Sequence, residues 1–153
     1  MAPATSRGPG TFVEDHAGQK ITVHRVKSYR WYPHDWLRFI LPWRIRHHSA
    51  RVLDRVKPDV IHFQSHIIVG YGLSREGAKR NIRLVGTNHF MPENLMDFSL
   101  LPDWLQEGAI RAAWGAAGRT FGMAEAVSSP TRRAADFLEK YTGVENVHAI
   151  SCG

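Results

Sequence analysis

The residues Lys20-Ile21-Thr22-Val23-His24-Arg25-Val26 alternate apolar and polar side chains of β-branched type, the period of a half-buried strand. Farther on the period changes. Ile45, Ser49, Val52, Leu53 and Val56 recur on one face, with most arginines on the other, so Trp43 to Val56 is predicted to be an amphipathic helix. Pro42 suits its first turn, where a missing N–H costs nothing. Lys57-Pro58-Asp59 closes that helix, and Val60-Ile61-His62-Phe63 is a short buried strand with Gln64, Ser65 and His66 at its carboxyl end. The same grammar returns in Ile82-Arg83-Leu84-Val85 followed by Gly86-Thr87-Asn88-His89, and in Glu125-Ala126-Val127-Ser128-Ser129-Pro130-Thr131. Between these strands lie helical patterns: Gly70 to Asn81 with Leu73, Ala78 and Tyr71 inward, and Pro102-Asp103 to about Ala117 with Trp104, Leu105, Ala109, Ile110, Ala113 and Trp114 at helical spacing. A third helix, Arg132 to Tyr141, has Thr131 as N-cap and Gly143 as stop signal, and Val147 to Ile150 is the last strand.

Strands alternating with helices predict an α/β fold with a parallel sheet. Its strands are expected near Lys20–Val26, Val60–Phe63, Leu84–Thr87, Ala124–Ser128 and Val147–Ile150, in a three-layer arrangement with helices flanking the sheet. Residues 1–19, rich in Pro, Gly, Ser and Thr, read as a loop or poorly ordered arm. Tyr29 to Leu41 is aromatic and irregular, and Phe90 to Leu101 is a loop long enough to be functional.

At 153 residues the chain suits about one domain, and 43% hydrophobic with 22% charged residues is an ordinary globular balance. Cys152 is the single cysteine, which rules out an internal disulfide framework and fits a reducing compartment. No apolar run nears the ~20 residues of a membrane span and no signal-peptide pattern opens the chain, so any membrane role is peripheral.

Charge adds a preference for anionic partners. The net charge is +6 and the pI about 9.9, a balance that favours nucleic acid, acidic lipid or nucleotide phosphates. Arg44, Arg46, His47, His48, Arg51, Arg55 and Lys57 crowd one stretch, just after Trp31, Tyr32, Trp36, Phe39 and Trp43. Interfacial rings beside basic groups make Trp36, Trp43, Arg44, Arg46 and Arg51 a candidate surface for anionic membrane. The competing reading is a solvated basic helix face beside aromatics used in packing.

In open α/β sheets ligands lie outside the carboxyl ends of the strands. Three predicted strands end there in His, Ser, Thr and Asn. Gln64, Ser65, His66, Asn88 and His89 are therefore candidate ligand-binding residues. His62 and His66 are four apart, which on a strand means ~13 Å at ~3.3 Å per residue, too far to share an ion. No further metal ligand is placed beside them, so no metal site is expected. Cys152 has no positioned base. Glu93 and Asp97 could serve as an acid–base pair or as a solvated loop pair.

Four segments, in order, carry a resemblance: Lys57-Pro58-Asp59-Val60-Ile61-His62, Val85-Gly86-Thr87-Asn88-His89, Ala126-Val127-Ser128-Ser129-Pro130-Thr131 and Val147-His148-Ala149-Ile150-Ser151-Cys152-Gly153. Together they resemble the N-terminal, acceptor-side domain of a GT-B fold glycosyltransferase of family 4, the retaining nucleotide-sugar enzymes. The family's usual Asn in the last segment is replaced here by Cys152. Asn88-His89-Phe90-Met91-Pro92-Glu93-Asn94 is similar to bacterial members that mannosylate or glucosylate lipids, which implies glycolipid biosynthesis.

The resemblance implies a Rossmann-like parallel sheet over residues 20–153 and a hexosyltransferase activity from a nucleotide sugar to a lipid or glycan hydroxyl. His89 would orient the sugar or acceptor, and Gln64, Ser65, His66 and Asn88 would bind the acceptor. Met1-Ala2-Pro3 looks like the end of the family's second strand. The family's first strand with its Gly-rich turn, and its C-terminal donor domain, find no counterpart in these residues, so the chain is expected to be an incomplete acceptor domain, inactive alone. It would bind no cofactor itself, the nucleotide sugar being held by the intact enzyme. The implied setting is cytoplasmic, peripheral on the inner face of the plasma membrane, with no nucleic acid partner. The alternative is a basic amphipathic module that binds acidic membrane or nucleic acid without catalysis.

Overall fold

The computed structural model describes residues 1–3, 8–31, 34–91 and 102–151. Backbone contacts divide the chain into two units, Met1–Lys57 and Pro58–Gly153.

The first unit is built on a hairpin. Strands β2 (Gly10–His16) and β3 (Gln19–Val26) pair antiparallel, from Gly10 opposite Arg25 to His16 opposite Gln19. A two-residue turn joins them. Ala17 and Gly18 both have positive φ, 53° and 83°, the mirror-image turn whose twist matches paired strands. Asp15 Oδ1 accepts the Gly18 N–H at 2.9 Å. Strand β1 (Ala2–Pro3) adds to β3 in parallel, giving the order β1-β3-β2. Strands β4 (Tyr29–Trp31) and β5 (His34–Phe39) form a second hairpin with an irregularity at Arg30/Trp31.

These strands correct three expectations. Much of the described part of segment 1–19 is strand rather than loop, Tyr29–Trp31 and His34–Phe39 are paired strands rather than an irregular stretch, and β3 belongs to a mixed sheet of its own rather than to the parallel one. Helix α1 (Pro42–Val56) follows as expected, with Pro42 in its first turn, and buries Ile45, Ser49 and Leu53. Lys57 ends it in the left-handed conformation, its N–H bonded to the Leu53 carbonyl at 2.8 Å.

The second unit has the expected α/β grammar. Strands β6 (Val60–Phe63), β7 (Arg83–Thr87), β8 (Ala126–Ser129) and β9 (His148–Ala149) form a parallel sheet in sequence order, with Val60 opposite Arg83, Thr87 opposite Ser128 and Ser128 opposite His148. Helices α2 (Val69–Ala78), α3 (Asp103–Phe121) and α4 (Arg132–Thr142) are the crossovers. Right-handed connections without a reversal of strand order put all three on one face of the sheet. That face carries Ile61, Phe63, Leu84 and Val127, which are buried together with Trp114, Ala117, Phe121, Ala135, Leu138 and Val147. The Phe63 and Phe121 rings stack with centroids 5.5 Å apart.

Two helices depart from the expected faces. In α2 the buried residues are Gly70, Gly72, Ser74, Glu76 and Gly77, while Ala78 is exposed. Small residues are needed there: a Cβ on Gly77 would come within 2.6 Å of Ile61 Cδ1 and 3.0 Å of Leu84 Cδ2. Helix α3 runs to Phe121, past the expected end near Ala117, and leaves Trp104 78% exposed. Its 19 residues make a rod of about 28 Å, whereas a five-residue strand spans about 16 Å. One helix of that length cannot cover the sheet along its whole face, and the C-terminal half supplies the buried Trp114, Ala117 and Phe121.

Candidate functional site

The carboxyl ends of β6 and β7 carry the residues singled out from the sequence. After Phe63 the chain leaves the sheet at Gln64, which is exposed, and Ser65, which is half-buried. The Ser65 hydroxyl accepts the Ile67 N–H at 3.1 Å, which tightens the turn. Ile68 then adopts φ 34°, a conformation unusual for a β-branched residue, before α2 begins. Gly70 sits directly on the Ser65 carbonyl, where a Cβ would overlap the oxygen. Backbone contact from below therefore fixes this loop.

His66 turns inward. It is 5% exposed, with ring centroids of Phe90 and Phe121 at 5.7 and 5.8 Å. Its Nδ1 is buried, with no partner among the described residues. Burial alone pushes its pKa down to about 4, because a charged imidazolium gains nothing in return for lost water. The ring is neutral at pH 7.

At the end of β7, Asn88 also turns inward and is 1% exposed. Its N–H donates to the Ser128 carbonyl at 2.8 Å and its Oδ1 accepts the Phe90 N–H at 3.2 Å. Its carbonyl accepts the Ser129 hydroxyl at 3.3 Å. These bonds lock the exit of β7 to β8 and leave His89 between them on the exposed side. Of the five expected ligand contacts, Gln64, Ser65 and His89 are solvent-accessible on neighbouring strand ends, and His66 and Asn88 lie in the interior beneath.

A polar chain that the sequence pattern had not suggested runs across three strands. His62 Nε2 lies 2.8 Å from Thr87 Oγ1, which lies 2.8 Å from Ser128 Oγ. The signal was present: each residue alternates with a buried apolar or small neighbour, so all three point to the face opposite the core. Thr131 acts as the expected N-cap, its hydroxyl accepting the Ala134 N–H at 3.1 Å, and Gly143 closes α4 with φ 70°.

In the first unit Trp43 is 74% exposed, and Arg44, Arg46 and Arg51 are exposed on α1. They do not share one stripe. At 3.6 residues per turn, Arg44 and Arg51 lie within about 20° of each other, whereas Trp43 is about 100° and Arg46 about 160° from Arg44. The Trp36 side chain, Glu93, Asp97 and Cys152 lie outside the described residues. Among the described residues no helix is long and apolar enough to cross a membrane, and no group of three or more His, Cys, Asp or Glu could hold a metal ion.

No curated protein matches the chain. The sequence profile of Glycosyltransferase Family 4 does match it, over residues 4–153. That span includes the parallel sheet, the strand-end ledge of Gln64, Ser65 and His89, and the hairpin unit before them, and the chain accordingly belongs to Glycosyltransferase Family 4.

Proposed function

We propose that the chain is the acceptor-side part of a retaining hexosyltransferase that moves a sugar from a nucleotide-sugar donor to a hydroxyl of a lipid or glycan acceptor. The observation that supports this reading most is the ledge at the ends of β6 and β7, where the imidazole of His89, the amide of Gln64 and the hydroxyl of Ser65 are accessible together on backbone that is firmly held. Such groups suit hydrogen bonds to sugar or acceptor hydroxyls, and Gln64 and Ser65 also suit an acceptor phosphate. His66 and Asn88 act as positioning residues beneath them. Donor phosphate can assist removal of the acceptor proton in this reading, so no carboxylate base is assigned. The nucleotide sugar is held by a second, donor-binding domain, which also stabilises the charge developing on its diphosphate. The exposed Trp43 with Arg46 is the surface offered to an anionic inner leaflet, which would place the enzyme peripherally on the cytoplasmic side.

The test is a transfer assay with labelled nucleotide sugars and lipid acceptors, on the chain alone and on the chain fused to a donor domain. The chain alone should transfer nothing, and the fused protein should transfer with retention of anomeric configuration. In the fused protein His89→Ala should lower kcat/KM roughly 10- to 100-fold, the worth of a hydrogen bond to a charged or transition-state group. Unchanged turnover in His89→Ala, or robust transfer by the chain alone, would overturn the assignment.

A further inference from the structure

We propose that the first unit carries a phosphate-binding cleft, formed where one stripe of α1 faces the mouth of the β2–β3 hairpin. The cleft has a volume of about 390 Å³ and is built wholly from residues between Pro9 and Arg55. That volume is at the small end of ligand sites and leaves ample room for a phosphate or diphosphate group.

Its chemistry is one-sided. Helix α1 contributes Arg44, His48, Arg51 and Arg55, at spacings of four, three and four, so that all four occupy one stripe. The hairpin contributes His24, Arg25 and Lys27. No carboxylate is among the described residues of the wall. Like charges at this spacing repel one another on a helix, so the stripe weakens α1 unless something neutralises it. Arg25 donates from Nη2 to Glu14 at 2.9 Å, while its buried Nε has no partner among the described residues.

The electrostatics agree with the geometry. The pKa of His48 is lowered by burial first, then by Arg51, His47 and Arg44. That of His24 is lowered by burial first, then by the N-terminal ammonium and Arg55. Both rings therefore sense a positive field. Guanidinium forks match the paired oxygens of a phosphate better than a point charge does. Among its described residues the wall contains no Phe, Tyr or Trp on which a base could stack, which favours a phosphate group over single-stranded nucleic acid. The phosphate could be soluble or belong to a lipid headgroup. The proposal does not depend on the transferase reading.

Histidine ring NMR on the full chain, at constant ionic strength, tests it. Inorganic pyrophosphate should bind saturably and raise the pKa values of His24 and His48, while His16 and His148, outside the cleft, stay put. The double variant Arg51→Gln/Arg55→Gln should weaken binding about tenfold or more, since it removes two charge-assisted contacts. The distant Arg111→Gln should not. If circular dichroism shows the double variant unfolded, Arg44→Gln provides the same comparison. Vesicles of phosphatidic acid and of phosphatidylcholine form the second arm. Shifts with phosphatidic acid vesicles alone, lost in the variants, would assign the phosphate to a lipid headgroup. Shifts with pyrophosphate would assign it to a soluble ligand. Absence of any shift in both arms, or equal binding by wild type and variants, would overturn the proposal.

Discussion

Acidification from pH 7 to pH 5 should destabilise the second unit through a single ring. His66 lies between Phe90 and Phe121, its Nδ1 has no partner among the described residues, and burial holds its pKa down to about 4. In the unfolded chain the same ring titrates near 6.5. Between these values the unfolded state binds a proton that the folded state refuses, so stability is fully present above about pH 6.5 and drains away as pH falls toward 4. A gap of this size corresponds to about 3 kcal/mol in full, of which about 2 kcal/mol is lost between pH 7 and pH 5. On a protein of this size that loss lowers Tm by roughly 4–8 °C. Urea unfolding of wild type and His66→Leu at pH 5, 6 and 7 isolates the effect, because the surface carboxylates titrate alike in both. At pH 7 the leucine should be neutral or up to about 1 kcal/mol stabilising, since it removes an unpaired buried nitrogen. At pH 5 it should be the more stable protein by about 2 kcal/mol or more. Parallel loss of stability in the two proteins would refute the reasoning.

Other substitutions probe the frame around the ledge. Gly70→Ala should cost about 3 kcal/mol or more, or abolish folding of the second unit, because the new Cβ meets the Ser65 carbonyl and backbone cannot step aside; thermal unfolding checks it. Thr131→Ala removes the acceptor for the Ala134 N–H and should cost about 1 kcal/mol in urea unfolding. Ala17→Asn should stabilise by roughly 0.5–1 kcal/mol, since Asn tolerates the left-handed conformation that Ala17 is forced to adopt; a lower Tm in this variant would contradict the turn geometry.

The parallel sheet was legible because its strands are short β-branched or apolar runs separated by helical periods, a pattern that allows few other folds. Thr131 and Gly143 were legible because capping depends on local geometry alone. The outer hairpin strand was hidden by an inverted pattern. Val13 points outward, 65% exposed, whereas Glu14 points inward, where it pairs with Arg25. An ion pair thus occupies the side on which an apolar residue would have announced a strand. The ledge was half legible. Polar residues at strand ends mark a site, but whether each turns out or in depends on how the chain leaves the strand. The turn at Ser65–Ile68 buries His66, and the bonds from Asn88 to Ser128, Ser129 and Phe90 bury that side chain, neither of which a list of residue types encodes.

This inward turning ties the chemistry of the ledge to the core beneath it. Asn88 is the acceptor for the Phe90 N–H and holds its own backbone to β8 on either side, so His89 is suspended between two fixed points. Asn88→Ala would leave the backbone bond to Ser128 but strip the acceptor from Phe90, whose ring also flanks His66. Three consequences should then appear together: a loss of roughly 1–3 kcal/mol from the unmet N–H, faster amide exchange at Phe90, and a fall in kcat/KM of the donor-fused protein as His89 loses its fixed approach. Asn88→Asp keeps the acceptor oxygen and should restore the exchange protection at Phe90. Protection restored without activity would separate the role of Asn88 from the positioning of His89. Activity restored along with protection would place it in the positioning of His89.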